Sequence, residues 1–260
     1  MNLATAWWFP WLVGVLLNTL LLGLAWGLPK KLLTPAGYLH AWILGVLIWG
    51  CLGWQGYSVV MVYFLAGSAV TRIGMDRKEA AGIAEARSGA RGPENVWGSA
   101  LTATICAVIL FFLLTFLPSR TYGSWVDLLS LAYVASFSTK LSDTTASEVG
   151  KAYGNRTFLI TSLKPVPAGT EGAVSVEGTL AGMVGSVVIA FVGWAVGLIQ
   201  WWGILVCLMA AFVATNAESW IGATLQNRFA WLTNELVNIV NTSIGALVAL
   251  GLGSLWLAAN

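Results

Sequence analysis

SWVDLLSLAYVASFSTKLSDTTASEVGK, residues 124–151, carries two chemistries on one stretch of chain. Residues 124–141 make an apolar run, with Lys140 near its end. Residues 142–151 then crowd Asp143, Glu148, Lys151 and several small hydroxyl or glycine residues together. Polar groups at the edge of a bilayer are costly to place and call for an explanation. Read as one helix at ~100° per residue, Lys140, Asp143, Thr144, Ser147, Glu148 and Lys151 fall within roughly 140° of arc. The helix would then leave an apolar layer with one polar face bearing both signs of charge. Gly150 and Gly154 end it or let a ligand approach. A solvated helix end laced with pairs such as Glu148–Lys151 would look similar. Asp143, two residues beyond the last apolar position, argues against that.

The rest of the chain places this stretch in a membrane. Of the 260 residues, 58% are hydrophobic and 9% charged. A soluble domain has about 25% charged residues, so the composition excludes one. The 15 Trp suit a lipid–water interface. Cys51, Cys106 and Cys207 lie alone in apolar runs, and His40 is the one histidine, so neither a CxxC site nor a His-based metal site is expected. A net charge of +2 gives no reason to expect a nucleic-acid partner. The N-terminal run 7–28 is long enough to span, and no cleavage site follows it.

Apolar runs of about 20 residues cross the hydrocarbon layer. They occur at 7–28, 38–54, 57–71, 96–117, 124–141, 178–200, 202–225 and 231–258. The expected fold is an all-α, polytopic transmembrane helical bundle of about eight spans, a single integral membrane domain over 1–260. If the short second and third runs form one span broken near Gly53 and Gly56, there are about seven. The positive-inside rule favours eight, with the N-terminus outside. Lys30, Lys31, Arg72, Arg77, Lys78, Arg87, Arg91, Lys140, Lys151, Arg156, Lys164 and Arg228 then face the cytoplasm and only Arg120 does not. Both counts put the long loops after the third and fifth spans on the cytoplasmic side. Trp54, Trp125, Trp201, Trp202 and Trp256 would mark the outer interface, Trp26 and Trp97 the inner. Gly178/Gly182 and Gly193/Gly197 have GxxxG spacing and predict close helix contacts. Asn155-Arg156-Thr157 is a glycosylation sequon by pattern, on the wrong side for use.

Three further polar clusters belong to that side. Arg87 and Arg91 flank a glycine-bearing turn that leads to Glu94 and Asn95, a setting suited to bidentate phosphate contacts or to a plain topology signal. Lys164, then Gly169-Thr170-Glu171-Gly172, combine a cation with exposed backbone N–H groups, a weak anion-binding signal. Asn234, Asn238 and Asn241 recur at i, i+4, i+7, one helical stripe. Asn216, Glu218 and Glu235 accompany them. Helix–helix hydrogen bonding explains the asparagines and leaves the carboxylates unexplained. No P-loop is present. Carboxylates that hold Mg²⁺ and cations that hold phosphates are the parts phosphoryl transfer needs.

GIAEARSGARGPENV (82–96), SDTTASEVGK (142–151), KPVPAGTEGAVSVEGT (164–179) and NAESWIGATLQ (216–226) followed by LTNELVNIVNT (232–242) together resemble the phytyl-phosphate kinases of chlorophyll-phytol salvage. Cyanobacteria and plant chloroplasts carry such enzymes. The likeness runs in order over about residues 66–250. There is a looser similarity to CTP-dependent phytol and dolichol kinases. There Asp143, Ala146, Gly150, Lys151 and Lys164 would match, followed by either Glu171-Gly172 or Glu177-Gly178-Thr179.

The resemblance implies a kinase that converts phytyl or another isoprenyl monophosphate to the diphosphate. The donor would be a nucleoside triphosphate, CTP by expectation, and the product would feed tocopherol and phylloquinone synthesis. The expected cofactor is Mg²⁺, on Asp143, Glu148 and Glu218. Lys140, Lys151, Lys164, Arg87 and Arg91 would hold phosphates. Gly169, Thr170 and Gly172 would donate backbone N–H groups, with Ser147 and Glu171 beside them. Asn95, Asn234 and Asn238 would orient water or phosphate oxygens. A phosphate acceptor is already ionised, so no strong general base is needed. The site would face the cytoplasm from the plasma membrane or thylakoid of a cyanobacterium-like organism. The alternatives are a CTP-dependent kinase or a cytidylyltransferase acting on another polyprenol and, from another class, a transporter.

Overall fold

The computed structural model describes residues 7–28, 31–118, 123–226 and 228–259. The topology expectations for Lys30 and Arg120 lie outside them. The chain forms a helical bundle. Its long helices are α1 (Phe9–Trp26), α2 (Pro35–Thr71), α4 (Pro93–Phe116), α5 (Trp125–Tyr153), α6 (Val176–Ala195), α7 (Trp202–Ile221) and α8 (Asn234–Ala259). A short α3 (Met75–Ala80) and a 3₁₀ turn (Ala86–Gly89) lie between α2 and α4. A two-stranded hairpin, β1 (Phe158–Leu159) antiparallel to β2 (Ala173–Val174), lies between α5 and α6.

Six of these helices, all the long ones except α5, are long and apolar enough to cross a membrane. The exception is the stretch that opened the reading. From Leu128 to Ser142 every residue of α5 is buried, including Ser130, Ser136, Ser138 and Thr139. α5 packs against α2, α4, α6, α7 and α8. A helix walled in by protein on all sides needs no lipid-facing stripe, which is why its composition is the least apolar. At 1.5 Å per residue its 29 residues extend about 43 Å, longer than the ~30 Å hydrocarbon layer. Its last turns therefore project beyond the apolar zone, as the polar segment 142–151 requires.

α2 is the second departure from local reading. Its 37 residues contain one non-helical position, Gly53, at φ 63° and ψ −155°. The chain folds back there. Arg91 touches both Gly37 and Gly67, which a straight helix would hold about 45 Å apart. Asn18 likewise abuts Gly45 and accepts a 3.0 Å hydrogen bond from the Tyr57 hydroxyl. The arms 35–52 and 54–71 thus lie side by side, as the two short apolar runs in this region suggest.

Glycines set the closest approaches. A Cβ on Gly178 or Gly182 of α6 would lie 2.6 Å from the Ala146 carbonyl oxygen or 2.9 Å from that of Ser142, both on α5. Backbone cannot yield, so only glycine permits this spacing. The expected Gly193/Gly197 pair holds by half: Gly193 packs on Val134, whereas Gly197 faces open space in the turn after α6. α6 therefore ends at Ala195 and not at Gln200.

Candidate functional site

α4, α6 and α8 begin at the end of the bundle where α5, α7 and the second arm of α2 finish. Local capping fixes each start. Pro93 opens α4, with the Asn95 side chain accepting from Gly92 N–H at 2.9 Å. Ser175 caps α6 by accepting from Gly178 N–H at 3.1 Å. The positive ends of three helix dipoles thus face the region where α5 and α7 present carboxylates. Between them lies a cavity of about 480 Å³.

Its wall gathers most of the residues singled out above: Arg87, Arg91, Asn95, Lys140, Asp143, Ser147, Glu148, Lys151, Gly169, Thr170, Glu171, Gly172, Glu218, Asn234 and Asn238. Groups that are distant in sequence converge on one space. Lys164 does not belong to it: it is exposed beyond the β-hairpin and absent from the wall. Of the two Glu-Gly pairs, Glu171-Gly172 lies on the wall. Glu177 turns away to accept from Asn155 Nδ2 at 2.7 Å, although Gly178 and Thr179 line the space.

The centre is built on α5. Lys140 Nζ donates to Asp143 Oδ2 at 2.5 Å and to Asn238 Oδ1 of α8 at 2.6 Å. Glu218 of α7 stands within hydrogen-bonding reach of Asp143 and receives Asn241 Nδ2 from α8. α5, α7 and α8 are therefore cross-linked by one polar network, with the Lys140 ammonium on Asp143 and Asp143 in turn beside Glu218. The asparagine stripe works as interhelical hydrogen bonding after all, since Asn238 and Asn241 each bind a charged side chain on a neighbouring helix.

A second network changes the reading of Glu148. Lys78 on α3 is fully buried and donates to Glu148 Oε2 and, at 2.7 Å, to the Thr71 carbonyl. Lys151 approaches the other carboxylate oxygen at 3.6 Å. A buried ammonium without a counter-ion is strongly unfavourable, so Glu148 serves as Lys78's partner. Among the described residues no three acidic, His or Cys side chains stand close enough to hold a metal ion. The expected triad Asp143, Glu148 and Glu218 is thus not assembled. Asp143 and Glu218 do meet, and their pairing suits Mg²⁺, which is commonly held by one or two carboxylates with water and phosphate completing its shell.

The loop expectations hold in part. Gly172, at φ 77°, sits against the Ser219 carbonyl and Ala223, leaving no room for a side chain. It ties the β-hairpin to the π-helical turn Gly222–Gln226 at the end of α7. Thr170 N–H closes a turn onto Pro167 O at 3.3 Å and so is not offered to a ligand. Arg87 adopts a left-handed backbone (φ 57°) and pairs with Glu94. Arg91 lies over the Tyr63 ring and donates to its hydroxyl at 3.0 Å. Tyr63, Lys78 and Ser175 were not anticipated as site residues. MDRKEA, which contains Lys78, reads as an ordinary charged surface turn, and nothing local signals its burial.

All four motif stretches fall within residues 18–246, which match the family described as integral membrane protein DUF92. The chain belongs to the DUF92 family. This DUF92 chain is 64% identical over 244 residues to the uncharacterized membrane protein sll0875 of Synechocystis sp., covering 94% of the chain and 92% of that protein. It is 43% identical over 220 residues to Protein VTE6, chloroplastic, of Arabidopsis thaliana, covering 84% of the chain and 64% of VTE6. It is 28% identical over 221 residues to the uncharacterized membrane protein MJ0933 of Methanocaldococcus jannaschii, covering 84% and 85%. No solved structure matches it. The family resemblance read from the motifs is borne out, and DUF92 membership makes this an integral membrane protein.

Proposed function

We propose that this DUF92 protein is an isoprenoid-phosphate kinase. It would transfer the terminal phosphoryl group of a nucleoside triphosphate, CTP by the motif likeness, to phytyl or another isoprenyl monophosphate. The observation that carries the reading is the cavity itself. Carboxylates from α5 and α7, cations from α5 and from the segment before α4, and the starts of three helices meet in one space at one end of a membrane bundle. Phosphoryl transfer is largely positioning and charge neutralisation, and those are the parts present.

In this mechanism Asp143 and Glu218 would hold Mg²⁺, which when bound would neutralise phosphate charge. Lys140 stays on Asp143 and Asn238 and offers its remaining proton to a phosphate oxygen. Arg91, fixed on Tyr63, and Lys151, further along α5, clamp phosphates. The acceptor phosphate oxygen attacks the terminal phosphorus as the bond to the nucleoside diphosphate breaks. No side chain need accept a proton. The site would face the cytoplasm, with about eight crossings if both arms of α2 and the enclosed α5 traverse the bilayer. The product would feed tocopherol and phylloquinone synthesis, from the plasma membrane or thylakoid.

The test is purified protein with phytyl phosphate, Mg²⁺ and each of four nucleoside triphosphates, with products resolved by mass. Phytyl diphosphate and CDP are expected. Pyrophosphate with a CDP-linked lipid would establish a cytidylyltransferase instead. No change in the lipid with any nucleotide would sink the enzyme reading.

A further inference from the structure

The cavity is deeper than two phosphorylated headgroups require. On α7 and its C-terminal turn the wall includes Leu208, Phe212, Thr215, Ser219 and Gly222, a stripe at helical spacing, with Asn216 and Glu218 at its polar end. The stripe changes character along its length, polar from Gly222 to Thr215 and apolar at Phe212 and Leu208. Leu208 lies ten residues before Glu218, about 15 Å along the helix and so roughly half the hydrocarbon thickness. Facing it on α6, Thr179 and Met183 repeat the same polar-to-apolar order one turn apart. Phe212 lines the cavity and is 49% exposed. About one and two turns before it on α7, Met209 and Leu205 are exposed apolar side chains, as is Val184 on α6. An exposed aromatic on the cavity wall, continuous along α7 with other exposed apolar side chains, marks a lateral mouth.

We infer that the cleft between α6 and α7 is the channel for the substrate's isoprenoid chain, entered sideways from the lipid, with Met183, Leu208 and Phe212 as the residues that read chain length. The occupant is a single branched hydrocarbon chain ending in a phosphate. Continuity with the Lys140–Asp143–Glu218 centre argues for this, because a chain lying in the cleft delivers its phosphate there without leaving the apolar layer. Thr215, at the change of character, has a buried hydroxyl without a hydrogen-bond partner among the described residues. It is placed to meet the oxygen that joins chain to phosphate. The inference rests on the kinase reading for the headgroup, and its physical test does not.

A twenty-carbon isoprenyl monophosphate carrying a diazirine at its far end is photolysed with wild-type protein in detergent–lipid micelles, and the labelled residues are mapped by mass. Labelling is expected at Met183, Leu208 or Phe212. Labelling confined to outward residues elsewhere, such as Leu16 on α1 or Ile105 on α4, would overturn the inference. In parallel, Leu208→Trp should lower the ratio of kcat/KM for the twenty-carbon acceptor to that for a five-carbon one by about tenfold, because a bulky ring shortens an apolar channel. Leu16→Trp should leave that ratio at the wild-type value. An unchanged ratio in Leu208→Trp would overturn the inference. Labelling in the cleft by a protein that turns over no isoprenyl phosphate would refute the kinase reading and uphold the channel.

Discussion

Lys140 on α5 and Asn238 on α8 are joined by a 2.6 Å hydrogen bond across a helix interface, while the same ammonium holds Asp143 at 2.5 Å. This bond orients the Lys140 ammonium toward Asp143. Asn238→Ala removes an acceptor from a charged donor, which costs about 1.5–3 kcal/mol. A lowered detergent melting temperature is expected, with turnover reduced more than substrate affinity. Unaltered melting would show that the bond contributes nothing.

Asp143→Asn keeps shape and hydrogen-bonding capacity and removes one carboxylate charge. The variant should remain folded, with an unchanged size-exclusion profile, and lose turnover by about 100-fold or more, as expected for loss of metal-centred charge stabilisation. Chelation with EDTA should abolish wild-type turnover and Mg²⁺ should restore it. Full activity in the Asn variant would remove Asp143 from the metal set.

Lys78 and Glu148 form a buried pair, with Lys151 3.6 Å from the other carboxylate oxygen. Lys78→Met and Glu148→Leu singly should destabilise by about 3–5 kcal/mol, and the double variant by clearly less than their sum. A double-mutant cycle in detergent melts measures this. Simple additivity would mean that the two side chains do not interact.

Lys151 and Lys164 make a matched comparison. Both sit in motif stretches, yet only Lys151 lies on the cavity wall. Lys151→Ala should raise the KM for the nucleotide by about tenfold, the value of a lost charge-assisted contact. Lys164→Ala should stay within about twofold of wild type, as exposed substitutions usually do. The reverse order would put the hairpin tip over the site during turnover.

Gly178 lies so close to the Ala146 carbonyl that a side chain must push α6 off α5. Gly178→Val should destabilise by roughly 1–3 kcal/mol, read as lower folded yield and melting temperature. A neutral result would mean that the helices can separate freely.

Much of the fold was legible because hydropathy is a local property. Apolar runs announced the helices, and the 142–151 segment announced that one of them emerges with a polar face. The Asn234–Asn238–Asn241 stripe was equally readable, since i, i+4, i+7 spacing follows from helix geometry alone. The site was legible as a set of residues at one end of the bundle. Its internal pairings were not. Glu148 looked as available to a metal as Asp143, and Lys164 looked as much a phosphate clamp as Lys151.

The sequence by itself determined that this chain is a membrane helical bundle with its charges at one end, because burial in lipid selects residue types position by position. Only the tertiary structure decided that α5 stands at the centre, that the chain reverses at Gly53, and that Lys78 claims Glu148. Glycine permits a reversal without requiring one. The partner of a buried charge is whichever opposite charge the neighbouring helices bring within a few ångströms, and helix adjacency is not written in any local stretch of chain.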